Sequence, residues 1–303
     1  MNCNSLERFM EIAKKKDNYE QTVSYLKEKL ALFVRPQEKV LLCFADDGEY
    51  SMGALMERVV TELGASCVFW GADQSWQSLL RQAFFSRATT IVGEPLLILG
   101  LTKLTRATGT PLWIRNVVLA GKPSEKWMVE GIHKGLDAKS WGCYDPIPGL
   151  VVGGFSCACS YGIHIRTDAV HVENAEDGRV LIRPVSDPTI CYATNHRAQM
   201  IREKCACGND APFLTDFEII KEPDPALDGL QEALLSWSSI LDYRAVRTEN
   251  GLELEVIAFP GERLPTLPSC AKRHVRPWMP KHDVPFCVDR QTVGHFIGEG
   301  EKT

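Results

Sequence analysis

Two short strings, CACSYGIHI (residues 157–165) and CACG (residues 205–208), organise the chain. They contribute Cys157, His164, Cys205 and Cys207 in the order Cys, His and Cys-x-Cys. Three sulfurs and one imidazole are the ligand types of a tetrahedral structural zinc site. The spacing therefore predicts one zinc ion bound by these four side chains.

A second interpretation of these residues stays open at this point. The chain holds 11 cysteines, and cysteine is commonly buried as a small apolar side chain. Cys-x-Cys is also closer than the usual spacing of zinc ligands. Gly208 favours the metal interpretation, because a glycine after the second cysteine permits the positive φ of a knuckle turn. Cys159 is an alternative to Cys157 as a ligand.

Upstream of these strings, short apolar strands alternate with amphipathic helices. This alternation implies right-handed crossovers and a largely parallel sheet. The predicted strands are 39–45, 67–70, 89–92 and 117–119, and the predicted helices are 5–33, 52–63, 76–85, 95–106 and 124–136.

Downstream of residue 140 the pattern changes to short β-prone segments, which predict an antiparallel sheet or small barrel. These segments are 150–157, 163–166, 170–173, 180–182 and 191–194. Residues 209–226, rich in Pro and Asp, are predicted to form a linker. A compact α+β unit follows, with strands at 217–220, 243–247, 252–259 and 286–288 and helices at 227–237 and 271–279.

Further motifs around the two strings resemble those of the phenylacetate-CoA ligase-like adenylate-forming enzymes. They are WGCYD (141–145), FSC (155–157), GIHIRTDAVHVE (162–173), YATNH (192–196) and CACG (205–208). The resemblance runs from about residue 30 to the C-terminal region. It implies an α/β fold of the adenylate-forming (ANL) type, truncated at its N-terminus. In some relatives the Cys, His and Cys-x-Cys positions bind zinc.

The resemblance and the change of pattern together divide the chain into two domains. Residues 1–212 are expected to form the N-terminal domain. It comprises an α/β portion at 1–140 and a zinc-pinned β-rich layer at 141–212. Residues 213–303 are expected to form a small, mobile C-terminal α+β domain.

The resemblance also implies a function, the ATP-dependent activation of a small aryl or acyl carboxylate. The product would be an acyl-adenylate and then a CoA thioester, so ATP, Mg²⁺ and CoA are the implied cofactors beside the structural zinc. Asp145 stands at the Mg²⁺ position, where the family has Glu. Its alternative role is to start a turn together with Pro146.

Four more residues fall on nucleotide positions of the family, namely Gly121, Trp141, Gly142 and His196. His196 stands where the family places the aspartate that binds the ribose hydroxyls. A neutral imidazole has one acceptor and cannot bind two hydroxyl protons as a carboxylate does. The substitution therefore predicts weakened or lost activity.

A carboxylate-activating enzyme also needs a Ser/Thr/Gly-rich phosphate loop with a lysine. The nearest string is Thr108-Gly109-Thr110-Pro111, which is short and misplaced relative to the other motifs. The chain is therefore expected to begin after the phosphate loop, or to obtain that loop from a partner chain. The alternative function is a non-catalytic, zinc-stabilised binding or regulatory protein.

Composition narrows the range of partners. A net charge of −5 and a pI near 5.9 argue against nucleic acid and anionic membranes, so a small-molecule carboxylate or nucleotide is the expected ligand. A homodimer is one possible assembly. Residues 1–16 lack a secretory signal pattern, which predicts a cytoplasmic protein with reduced cysteines.

Overall fold

The computed structural model describes residues 15–44, 51–70, 74–121, 124–145, 152–220, 229–266, 270 and 272–286. In chain order the first elements are α1 (Lys16–Leu30), β1 (Lys39–Cys43), α2 (Met52–Glu62), β2 (Ser66–Trp70), α3 (Trp76–Ser86), β3 (Thr90–Gly93), α4 (Pro95–Thr108), β4 (Asn116–Gly121), α5 (Lys126–Gly135) and β5 (Lys139–Tyr144). Their five strands pair in parallel in the order β2-β1-β3-β4-β5. The predicted parallel α/β portion is thus confirmed.

Local sequence explains where these helices begin. The side chains of Ser51 and Ser75 accept hydrogen bonds from the backbone N–H groups of Ala54 and Ser78, which caps α2 and α3. Pro95 occupies the first turn of α4, where a missing N–H costs nothing. Helix α1 starts at Lys16, and residues 5–14 of the predicted helix lie outside the described residues.

The second half of the sheet is antiparallel. Its strands are β6 (Gly154–Cys157), β7 (Ser160–Ile165), β8 (Val170–Asn174), β9 (Arg179–Pro184), β10 (Tyr192–Ile201) and β11 (Phe213–Ile219). Strand β5 pairs with β6, so both halves form one mixed 11-stranded sheet that continues in the order β5-β6-β7-β11-β10-β9-β8. The β-rich layer is therefore an extension of the α/β sheet.

The predicted linker at 209–226 is largely wrong. Strand β11 occupies Phe213–Ile219 and pairs with both β10 and β7. Leu214 is fully buried and Phe217 packs against the same apolar cluster, so the segment belongs to the sheet despite its polar composition. The domain boundary at 212/213 stays a prediction, and sheet membership favours a position between β11 and residue 230.

A three-stranded sheet forms the C-terminal part, with α6 (Leu230–Leu235), β12 (Ile240–Thr248), β13 (Gly251–Ala258) and β14 (Lys272–Pro277) in the order β12-β13-β14. The helix predicted at 271–279 is wrong, since β14 pairs in parallel with β13. The prediction followed the apolar side chains at Val275, Trp278 and Met279, which recur at helical spacing. Pro277 would interrupt such a helix. Of the strand predicted at 286–288, only Phe286 is described, and its backbone is helical.

The C-terminal sheet packs on α3 and α4 and shares one apolar core with them. At this contact the Nζ of Lys103, on α4, donates hydrogen bonds of 2.7 Å to the carbonyl oxygens of Leu235 and Ile240. Lys103 is only 6% exposed. This buried ammonium group joins helix α4 to α6 and β12 of the C-terminal part.

We expect Lys103→Met to loosen the C-terminal sheet. The substitution keeps the apolar stem but removes a donor from two buried carbonyls, and an unsatisfied buried group costs about 1–3 kcal/mol. Hydrogen exchange measured by mass spectrometry should become faster in β12 and β13 while the 11-stranded sheet is unchanged. Lys134→Met, at an exposed position of α5, is the matched control. Unchanged exchange in β12 would contradict the role given to Lys103.

Two further findings concern membrane-spanning helices and the oxidation state of the cysteines. Within the described residues no helix is both long enough and apolar enough to cross a bilayer. Cys191 forms a disulfide, so the expectation that all cysteines are reduced is wrong at that position.

Candidate metal and nucleotide sites

The structure brings the four predicted metal ligands together. The Sγ atoms of Cys157, Cys205 and Cys207 and a ring nitrogen of His164 lie within 4.8 Å of one another. These residues come from two segments separated by some forty positions in sequence. Their convergence makes this cluster the candidate metal centre.

Two turns position the ligands. The β6–β7 hairpin carries Cys157 on its first strand and His164 on its second. The other two ligands lie in the connection between β10 and β11, where Gly208 N donates to the Cys205 carbonyl at 2.9 Å. Gly208 has a φ of +88°, which L side chains rarely adopt. The predicted knuckle turn is thereby present.

Two of the distances within the cluster are close to those of a zinc tetrahedron. With Zn–S near 2.3 Å and Zn–N near 2.0 Å, tetrahedral angles place two sulfurs about 3.8 Å apart and a sulfur and nitrogen about 3.5 Å apart. The Cys157 and Cys205 Sγ atoms are 3.7 Å apart, and Cys207 Sγ is 3.4 Å from His164 Nε2. The widest separations, up to 4.8 Å, would need to close by about 1 Å for the same ion.

The surroundings of His164 suit a metal ligand. Its Nδ1 lies 3.3 Å from the Ala211 carbonyl oxygen, which accepts a proton only from the Nδ1–H tautomer. That tautomer leaves the lone pair of Nε2 facing Cys207. A backbone carbonyl bound to the second nitrogen is the usual way in which a metal-binding imidazole is oriented. The Phe213 ring, 5.3 Å away between centroids, covers one side of the imidazole.

The close packing of several thiols in the cluster affects the pKa of Cys207. A backbone hydrogen bond at Asn209 lowers the pKa of Cys207. Desolvation and the neighbouring thiols of Cys205 and Cys157 raise this pKa by more than the hydrogen bond lowers it. The net effect is a raised pKa. Such a group of sulfurs favours protons or a cation over free thiolates.

Cys159, the alternative ligand, lies in the turn of the β6–β7 hairpin and is exposed. It is not a member of the cluster. The structure thus favours Cys157 in the ligand set.

Two of the predicted nucleotide-site residues meet at the carboxyl ends of neighbouring strands. Gly121 ends β4, and Asp145 follows β5 directly, with Asp145 N donating to the Gly121 carbonyl at 3.0 Å. The side chain of Asp145 is fully buried. In open α/β sheets, ligands bind outside the carboxyl ends of the strands. Both residues therefore lie at the edge of the sheet where ligands of open α/β sheets commonly bind, and their nucleotide roles stay predictions.

Trp141 and Gly142 lie further back on β5. The Trp141 ring stacks on Phe33 at 4.6 Å, and its Nε1 donates to Asn116 Oδ1. Gly142 N donates to Ser156 Oγ at 2.7 Å. These groups are already engaged in the core, so their nucleotide roles stay predictions without support from the described contacts.

His196 makes a buried hydrogen bond that sequence reasoning missed. Its Nε2 lies 2.7 Å from the hydroxyl of Tyr144, and both residues are nearly inaccessible to solvent. Burial raises the pKa of Tyr144 well above its ordinary value, so the phenol stays protonated and can donate to Nε2. The single acceptor of a neutral His196 is then occupied. Tyr144 in the WGCYD string, one position before Asp145, was the available signal.

Thr108-Gly109-Thr110 forms the end of α4. Gly109 is the C-cap in the left-handed region, and the Thr108 hydroxyl donates to the Leu104 carbonyl. The C-terminus of a helix carries partial negative charge. This string therefore does not provide a phosphate-binding loop.

Solved structures with a similar architecture include CoA ligases. The 2-hydroxyisobutyryl-CoA ligase in the postadenylation state, in complex with R3-HIB-AMP, has a TM-score of 0.63 and 13% identity, covering 88% of this chain and 67% of that chain. A benzoate CoA ligase from Burkholderia xenovorans LB400 has a TM-score of 0.53 and 11% identity, with coverages of 87% and 64%. An anthranilate CoA ligase in complex with anthranoyl-AMP has a TM-score of 0.51 and 10% identity, with coverages of 89% and 63%.

These likenesses show the fold. The chain has the α/β architecture of acyl- and aryl-CoA ligases, with their large mixed sheet, and spans about two thirds of the length of those proteins. No protein-family model matches the sequence. The curated protein sequences contain no match to it either.

Proposed function

We propose that this protein is a divergent adenylate-forming protein that binds a small aryl or acyl carboxylate as its adenylate. The observation that carries the proposal is the position of Gly121 and Asp145 at the carboxyl ends of β4 and β5 in a chain with the CoA-ligase fold. The phenylacetate-CoA ligase-like subtype is supported by the order of the WGCYD, YATNH and CACG strings.

The reaction of this class has two steps. A carboxylate oxygen attacks the α-phosphorus of ATP, a new P–O bond forms and pyrophosphate leaves. The thiol of CoA then attacks the acyl carbonyl, and AMP leaves. Mg²⁺, when bound, neutralises phosphate charge. Asp145 is the residue that would hold it, because Mg²⁺ is commonly bound by one or two carboxylates together with substrate phosphates.

We propose that the adenylation step is weak in this chain. The Tyr144 hydroxyl occupies the acceptor nitrogen of His196, at the position where the resemblance calls for a ribose-binding carboxylate. The sequence also offers no phosphate loop. Oriented N–H donors and a cation normally stabilise charge on a transferring phosphoryl group, and losing one such donor costs about 10²- to 10³-fold. A partner chain that supplies the loop would restore this stabilisation.

The metal centre is proposed to be a structural zinc site. Four protein ligands leave no open position for water, so a catalytic role is excluded for a closed Cys₃His set. The ion would join the β6–β7 hairpin to the connection between β10 and β11. We also propose a cytoplasmic location, as expected from the sequence, and a homodimeric assembly.

The second candidate function is a non-catalytic binding or regulatory protein. The buried hydrogen bond between Tyr144 and His196 favours it. That bond occupies the His196 nitrogen that would otherwise accept a hydrogen bond from a ribose hydroxyl. Carboxylate-dependent ATP–pyrophosphate exchange and binding of an acyl-adenylate analogue distinguish the two candidates, as set out in the Discussion.

A further inference from the structure

An aromatic surface lies beside the C-terminal end of α3. Phe85 is 70% exposed and Trp113 is 41% exposed. Phe84 lies between them, with ring centroids 5.2 Å from Phe85 and 5.3 Å from Trp113. Contiguous exposed aromatic rings of this kind mark interaction sites more often than isolated surface residues do.

Two arginines flank these rings. The Arg81 guanidinium lies 5.9 Å from the centre of the Phe85 ring, and that of Arg87 lies 5.4 Å from the centre of Trp113. In the part of the chain that the structure describes, neither guanidinium pairs with a carboxylate, whereas Arg58 and Arg276 each pair with two. A guanidinium stacked on a ring keeps its N–H edge available for a carboxylate.

Beside these rings is a groove, which we call the α3 groove. Its first part, about 480 Å³, runs between α3, residues 108–111 and Trp278, over Leu80 and Phe84. Its second part, about 470 Å³, shares Gln77, Arg81 and Phe85 with the first. The second part also reaches Lys281. Among the residues that the structure describes, no acidic side chain lines either part.

We propose that the α3 groove binds an acidic peptide segment of a partner protein. An aromatic or aliphatic side chain of the segment enters over Leu80, Phe84 and Trp278, and flanking carboxylates pair with Arg81 and Lys281. Charge complementarity selects this occupant, because the groove is cationic in a chain whose net charge is −5. A two-fold contact between copies of the chain would instead bring the arginines of this surface together. This surface is independent of the proposed adenylate site.

The test is selection of a random 12-residue peptide library, displayed on phage, against the full chain. The selected peptides are expected to share an apolar anchor flanked by at least about two acidic residues, as the cationic groove requires. The synthetic consensus peptide, labelled with fluorescein, should lose about tenfold or more in affinity with Phe85→Ser and with Arg81→Glu, as expected for a central aromatic and its charged neighbour. Its affinity should also fall as salt rises.

Two substitutions outside the groove serve as controls. Leu32→Ser replaces another exposed apolar side chain, and Arg263→Glu reverses another exposed arginine. Both should leave peptide affinity within about twofold, since isolated surface changes are usually neutral. A basic or uncharged consensus, no enrichment, or equal binding by Phe85→Ser would overturn the proposal. So would a dimer in sedimentation that dissociates with Phe85→Ser, which would assign the surface to self-association.

Discussion

Replacing Cys205 with serine is expected to remove the bound zinc and to lower the melting temperature of the protein by about 10 °C, because a loss of a few kcal/mol shifts a chain of this size by several degrees. The reason lies in the connectivity of the cluster. Cys205 is buried in the connection between β10 and β11, and its Sγ lies 3.7 Å from that of Cys157 on β6, so its sulfur links the two turns. Elemental analysis of the purified chain should give one zinc in the parent and none in the variant.

The matched control is Cys159→Ser. Cys159 belongs to the same hairpin but is exposed and outside the cluster, so its loss should change neither zinc content nor melting temperature. Cys207→Ser should behave like Cys205→Ser. A parent protein that is metal-free, folded and insensitive to a chelator would support the interpretation of these residues as ordinary cysteines.

His196→Asp is expected to raise carboxylate-dependent ATP–pyrophosphate exchange above the low level of the parent chain. A carboxylate has acceptor sites for two ribose hydroxyls in addition to the Tyr144 hydroxyl, whereas His196 has one acceptor, already used by Tyr144. Exchange should be measured across a panel of aryl and short-chain acids. We expect a gain of about tenfold or more, the size of one to two charge-assisted hydrogen bonds.

His196→Asn is the control for size and burial. It is close to Asp in volume but cannot provide a carboxylate, so it should show no gain. Both variants lose the imidazole packed on Phe217, and circular dichroism should establish that each is folded. Robust exchange by the parent chain would show instead that other residues handle the phosphates and that the altered motifs do not limit activity.

Some of the fold was predictable because local sequence dictates it. The strands β1 and β3 are short apolar runs between amphipathic helices, and their parallel pairing follows from that alternation. Residues 213–219 were not predictable in the same way, since proline and aspartate around them imitate a linker. Only pairing with β7 and β10 makes them a strand. Pro277, by contrast, was a local sign against a helix at 271–279.

The candidate sites also differ in whether local sequence or a tertiary contact determines them. The convergence of the three cysteines and His164 was predictable because their spacing is typical of a metal site, and Gly208 at positive φ fits the expected turn. The Tyr144–His196 hydrogen bond depends on β5 and β10 meeting across the sheet, a tertiary contact that no local pattern encodes. The aromatic surface at Phe85 likewise arises from α3 and Trp113 coming together in space.

The most direct test of the proposed function is calorimetric titration of the purified, zinc-loaded chain with a non-hydrolysable acyl-adenylate analogue, a 5′-O-(N-aroylsulfamoyl)adenosine. We expect saturable binding of one analogue per chain, weakened by Asp145→Asn because Asp145 lies at the carboxyl ends of β4 and β5 that form the proposed site. The metal cluster is unchanged in that variant, so zinc content provides an internal control for folding. No binding at analogue concentrations up to about 1 mM, the range that corresponds to about −4 kcal/mol, would contradict the proposed adenylate site and favour a non-catalytic, zinc-stabilised protein.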